Sequence, residues 1–173
     1  MCYGFRKFES SGKMRANHLK TQIKRIGFNF FPVYRRTGAR ITYIADDWRE
    51  VRIKLPLNWK TRNYVGSIFG GSMYAAVDPI YMVMFIKLLG SGYIVWDKAA
   101  SIKFKKPGRS TLHAVFKIDQ AEIDYIRETL KKQTKLDRTY SIELIDENGA
   151  SCATVEKVIH FQKKDKSSSP PAG

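Results

Sequence analysis

The stretch from Asn63 to Gly90, NYVGSIFGGSMYAAVDPIYMVMFIKLLG, constrains the fold more than any other part of the chain. It opens on an asparagine and three glycines, Gly66, Gly70 and Gly71, and then runs apolar on nearly every face. Ordinary surface helices carry an apolar stripe and a polar one; a helix apolar all round is a core helix or a membrane span. Asp78 decides between them. At a bilayer centre it would cost about 2.5–3.5 kcal/mol on insertion scales, and no second span-like stretch follows. The expectation is a buried central helix over Gly66–Leu89, with no stable membrane insertion.

Two period-two runs precede this helix. Ile41, Tyr43 and Ala45 share one parity, and Val51, Ile53 and Leu55 alternate with Arg52 and Lys54; Asp46-Asp47 turns between them. After the helix, Gly90-Ser91-Gly92 is a stop. Tyr93–Lys106 is then a long strand, with room for a bend at Ala99-Ala100-Ser101. Leu112, Ala114, Phe116 and Ile118 alternate next. Asp119 can cap a short helix over Ala121–Lys132. Tyr140, Ile142 and Leu144 follow, then an Asn148-Gly149 hairpin turn. In the last strand Cys152, Thr154, Glu156, Val158 and His160 take one parity, and Ala153, Val155 and Ile159 the other. One long helix with an antiparallel sheet is an α+β layer, and the all-round apolarity implies a sheet curling around the helix.

The ends are different in character. Residues 1–30 read as a basic extension, with a helix over Lys13–Phe28 ended by Pro32. Residues 31–163 form the folded domain, and 164–173 are disordered by composition. No apolar core of a signal peptide follows the first charged residues. Two cysteines, Cys2 and Cys152, offer neither a metal spacing nor a disulfide framework, so a reducing, cytoplasmic setting is the simpler expectation. The three histidines lie far apart, which argues against a histidine metal site.

The 173 residues carry a net charge of +15. That attracts nucleic acid, an anionic membrane surface or a phosphate-bearing ligand equally well. Aromatic residues sit at apolar strand positions rather than on a basic platform, and no nucleic-acid motif is present, so nucleic acid is not an expected partner.

The pattern N-x-x-G-x-x-F-G-G-x-x-x-x-x-x-D from Asn63 to Asp78 resembles the hot-dog-fold acyl-CoA thioesterases of the phenylacetate-pathway (PaaI-like) type. The phrases NYVGSIFGGSMYAAVDP, YIVWDKAASIKFKKPG and DENGASCATVEK resemble still more closely a related hot-dog family of unknown function. The likeness covers Phe31 to Lys163. It implies a homodimer, or a tetramer built from it, that binds an acyl-CoA or acyl-carrier thioester between subunits. Coenzyme A would enter as part of the substrate, and no other cofactor is expected. It further implies Asp78 as base or nucleophile, the Gly70 N–H as the group polarising the thioester carbonyl, and Asn63 as the residue positioning the reactants. Phe69 stands where the thioesterases usually keep a histidine, and it can neither donate nor accept a hydrogen bond.

Gly71, Asp97, Lys105 and Arg109 complete the candidate site. Asp97 interrupts the apolar start of a strand, and Lys105-Lys106 with Arg109 could hold coenzyme A phosphates. Each has a plainer role: Asp78-Pro79 as a helix cap, Asp97 as an exposed strand residue paired with Lys98 or another base, the glycines as close-packing points, the basic group as a solvated turn. Three functions follow: a thioester hydrolase, a non-catalytic acyl- or lipid-binding module, and a basic surface binder.

Overall fold

A computed structural model describes residues 19–164. Two short helices, α1 (Leu19–Phe30) and α2 (Pro32–Arg36), lead into strands β1 (Arg40–Ile44) and β2 (Glu50–Leu55). The central helical segment is α3 (Gly70–Val77) and α4 (Ile80–Leu89). Strands β3 (Tyr93–Phe104) and β4 (Leu112–Lys117), helix α5 (Gln120–Lys132), and strands β5 (Lys135–Ile145) and β6 (Ser151–Lys163) complete the chain. The strands form one antiparallel sheet in the order β1-β2-β4-β5-β6-β3. This is the expected α+β hot-dog arrangement, with the apolar helix laid against the sheet.

The helix is core because the sheet covers it. Met73, Ala76, Val77, Ile80, Tyr81, Met84 and Phe85 are buried with the inward residues of β2, β4 and β6. Phe85 meets Phe161 edge-on at 4.9 Å between ring centroids, and Tyr140 lies tilted against it at 4.9 Å. Gly70–Leu89 has the length and composition of a membrane span, but its sheet-facing side is occupied by this packing.

Three local expectations need correction. The helix starts at Gly70, not Gly66. Gly66 has φ of +79° in the preceding turn, a left-handed conformation that suits glycine and cannot continue a right-handed helix. The helix also breaks at Asp78-Pro79. Pro79 has no N–H to give the fourth residue back, so the ladder stops at the Asp78 N–H to Tyr74 O bond and resumes at Val83 N–H to Pro79 O. Pro32 separates two helices rather than only ending one, because proline suits the first helical position of α2.

Two β-bulges change which side chains face inward. One lies between Ile41 and Tyr43, so Ile41 and Ile44, three residues apart, are both buried. The other lies between Asp97 and Ala99. It keeps Asp97 opposite Ile159 and brings Ala100 opposite Lys157, so both fall on the helix side of the sheet. The expected caps and turns of the second half form as read: Asp119 accepts from Glu122 N–H at 2.7 Å, and Gly149 turns the last hairpin with φ of +81°.

The aromatic contacts around Phe85 make a test of this core. Phe85→Ala should destabilise the protein by about 3–5 kcal/mol, the usual range for deleting a buried aromatic ring. Chemical denaturation with an unchanged m-value would measure it; a loss below about 1 kcal/mol would show that the helix is not the packing centre.

Candidate functional site

The break in the central helix places Asp78 at the C-terminal end of α3, above the sheet. Lys157 of β6 reaches it from below. The Lys157 side chain is completely buried and its ammonium bonds the Asp78 carboxylate, the Asp78 carbonyl oxygen at 3.0 Å, and the Asp97 carboxylate at 3.2 Å. The ammonium therefore has three oxygen partners and also lies over the Tyr74 ring at 5.5 Å. Burial and the neighbouring Asp78 carboxylate push the Tyr74 hydroxyl pKa up. Burying a lysine ammonium without partners would cost several kcal/mol; here two carboxylates and a helix-end carbonyl offset that cost.

The electrostatics follow. Burial works to lower the Lys157 pKa, but Asp78 and Asp97 together raise it above the ordinary lysine range. Burial pushes the Asp97 carboxyl up, and Lys157 only partly opposes this. Asp97 Oδ1 is buried with no hydrogen-bond partner among the described residues. Asp97 is thus paired with another base than Lys98, the buried Lys157, and is only partly exposed; Lys98 pairs with Asp137, which also meets His160 Nδ1 at 2.5 Å.

The other expected residues gather at the opposite end of α3. Asn63 Oδ1 accepts from the N–H groups of Val65 and Ser67, and its amide donates to Ser67 Oγ at 3.0 Å. Asn63 therefore builds the loop that delivers Phe69 to the N-cap of α3. Gly70 and Gly71 start that helix, and their amides have no backbone acceptor, as first-turn amides do not. A cleft of about 410 Å³ is lined by Asn63, Ser67, Gly70, Met73, Phe104 and Lys105, among others. A Cβ on Gly70 would lie 2.7 Å from the Phe104 ring, and one on Gly71 would lie 2.4 Å from the Phe69 ring, so both glycines permit close aromatic approach. Phe69 is 57% exposed. Lys105 is tied to Glu143 and Lys106 to Asp146, while Arg109 is exposed with no acid partner among the described residues.

The candidates thus divide into two groups. Asp78 and Asp97 sit with Lys157; Asn63, Phe69, Gly70, Gly71 and Lys105 sit at the helix start. Eight residues of helix separate Gly70 from Asp78, about 12 Å along the axis, so one protomer does not bring them to a single carbonyl. Asp78 instead lines a different cleft of about 400 Å³, enclosed by Phe28, Phe31, Val33, Met82 and Val83 among others. The sequence reading missed Lys157 and Tyr74. Lys157 had a visible signal: it is the one charged residue in the inward parity Ala153, Val155, Lys157, Ile159, Phe161.

Removing Lys157 should expose how much this ion cluster matters. Lys157→Met should cost about 3 kcal/mol, the lower end for breaking a buried pair, because Asp78 keeps contact with solvent. Adding Asp97→Asn to that variant should restore part of the loss. Urea denaturation of both proteins checks this; equal stability of Lys157→Met and the parent would remove the cluster's structural role.

Comparison with solved structures supports the fold assignment. A Pseudomonas aeruginosa protein of unknown function, described as a "Probable Thioesterase", aligns with a TM-score of 0.76 at 17% identity, over 83% of this chain and 96% of that one. A thioesterase from Haemophilus influenzae aligns at 0.63 and 14% identity, over 86% of this chain and 94% of its own. The E. coli PaaI protein from the phenylacetic acid degradation operon aligns at 0.57 and 16%, over 83% and 92%. At these identities the likeness shows the fold alone. No curated protein matches the sequence. The sequence profile of the domain of unknown function DUF4442 matches residues 20–161, and the chain belongs to that family.

Proposed function

We propose that this protein is a hydrolase of acyl-CoA or acyl-carrier thioesters, with Asp78 as the reacting carboxylate. The observation that carries this reading is Asp78 itself: its carboxylate bonds a buried ammonium, and the residue lines an apolar cleft. As a base, Asp78 takes a proton from water while the water oxygen bonds the thioester carbonyl carbon. The carbonyl oxygen becomes an oxyanion, and free amides at a helix start are suited to receive it. The tetrahedral species then collapses, the C–S bond breaks, and the departing thiolate takes up a proton.

The 12 Å between Gly70 and Asp78 in one protomer requires the two to come from different protomers. A homodimer joined through β3 fits that need. Among the described residues β3 is a sheet edge paired only with β6, and its helix-side residues Ala100 and Phe104 are exposed. Edges of this length invite pairing. The overall positive charge suits a phosphate-bearing carrier, with Arg109 the most available cation near the first cleft.

One observation favours a second reading, a non-catalytic acyl-binding module. Phe69 places an apolar ring over Gly71, where the active relatives' histidine would offer a polar group.

A panel of acyl-CoA thioesters assayed for free thiol separates the two. Asp78→Asn should lower turnover by about 10²–10⁴-fold, the usual worth of a general base, with the fold intact because an asparagine oxygen can still accept from Lys157. Phe69→His should hold or raise the rate. Unchanged turnover in Asp78→Asn would remove Asp78 from the chemistry. Tight acyl-CoA binding with no thiol release from the parent protein would establish the binding module.

A further inference from the structure

The cleft beside Asp78 has a roof that the catalytic reading does not use. Its floor is the outward face of the central helix, with Ala75, Met82 and Val83; its roof is α1 and α2, with Phe28, Phe31 and Val33. The roof is fixed, not draped. Asn29 exchanges hydrogen bonds with the backbone of Ile41 at 2.8 and 3.0 Å, and the buried Tyr34 hydroxyl donates to the Ala76 carbonyl at 3.2 Å. Gly27, an exposed residue of the roof, also lines the cleft. It lies inside α1, where glycine costs up to about 1 kcal/mol relative to alanine. Among the described residues a Cβ at Gly27 would meet nothing within 4 Å, and no left-handed backbone requires a glycine there. Because Gly27 lines the cleft, a large side chain at this position would take up space there.

We infer that this cleft holds the alkyl chain of an acyl thioester, with the thioester end at Asp78 and with Gly27 setting the chain length admitted. The inference rests on the acyl-thioester reading of Asp78 and specifies its substrate class: aliphatic chains rather than acetyl-sized groups. Three features select this occupant. The lining is apolar except near Asp78 and Thr37. The polar end is Asp78, with the Lys157 ammonium bonded to its carboxylate, so the polar head of the ligand belongs there and the alkyl chain against the apolar walls. The roof residues 19–36 carry five basic side chains, Lys20, Lys24, Arg25, Arg35 and Arg36, and no acid, which suits a carrier bearing phosphates.

The test uses non-hydrolysable S-alkyl coenzyme A thioethers of two to fourteen carbons, titrated into the full-length protein by calorimetry. Affinity should rise about fourfold per added methylene until the cleft is full. Gly27→Phe should abolish that rise beyond the shortest chains. Gly27→Ala, which adds no bulk across the cleft, should keep most of the rise and confirm that α1 tolerates substitution. Affinity independent of chain length overturns the inference, whether the cleft is empty or filled by residues 1–18. So does a Gly27→Phe variant that binds every chain as the parent does. A Gly27→Phe variant that dissociates in sedimentation would make the cleft a contact between copies and overturn it too. Graded binding without hydrolysis would leave the cleft standing and remove the hydrolase; hydrolysis indifferent to chain length would do the reverse.

Discussion

A fully buried lysine on a sheet must be neutralised, and much of the site's architecture follows from how Lys157 is neutralised. Its ammonium needs oxygen on the helix side of β6. Asp78 supplies a carboxylate and a carbonyl because Pro79 interrupts the helix there, ending α3 close to the ammonium. Asp97 supplies another carboxylate because it shares the inward parity of Val95, and the bulge that follows it brings Ala100 opposite Lys157. An unbroken helix would leave the cation less well served. A purely structural ion cluster would account for this arrangement as far as Lys157 is concerned. It would not account for an apolar cleft opening beside Asp78, nor for a carboxylate oxygen of Asp97 left buried without a partner.

The two ends of α3 offer complementary chemistry. The start presents amides suited to developing negative charge, in a cleft bordered by Lys105. The end presents a carboxylate beside apolar walls. A thioester has a carbonyl that gains negative charge and, in the class inferred above, a hydrocarbon chain that avoids water; each half matches one end. The separation along a single helix makes the protomer incomplete for this chemistry, which gives the exposed β3 edge a functional reason to pair.

The strands were legible because one face of each is solvated and the other buried: β4 and the second half of β5 show the plain alternation that the sequence displays. The central helix was legible from its apolarity, and the helix-start group from its glycines. Asp78 stood out as a charge in an apolar run. What stayed hidden depended on pairing across the chain. Lys157 lies 79 positions from Asp78, and nothing local announces that the two meet. Its inward parity in β6 could be counted, but a lysine invites the assumption of an outward face. The β1 and β3 bulges also escaped in detail, since one extra residue in a ladder leaves no fixed sequence mark. Asn63 and Asp78 were read as one site between subunits from the family resemblance; helix geometry, at 1.5 Å per residue, puts them at opposite ends of α3 within one protomer.

Subunit complementation tests the shared site most directly. Asp78→Asn removes the carboxylate; Gly70→Ala adds a methyl that must displace the exposed Phe104 ring and so disturbs the cleft at the helix start. Each variant alone should hydrolyse acyl-CoA poorly. Mixed, unfolded and refolded together, they should recover about a quarter of parent activity. About half the dimers would be mixed, each with one intact site of two, a statistical estimate from the two-fold symmetry of such dimers. A mixture no more active than the separate variants, against an active parent, would contradict a site built from two protomers.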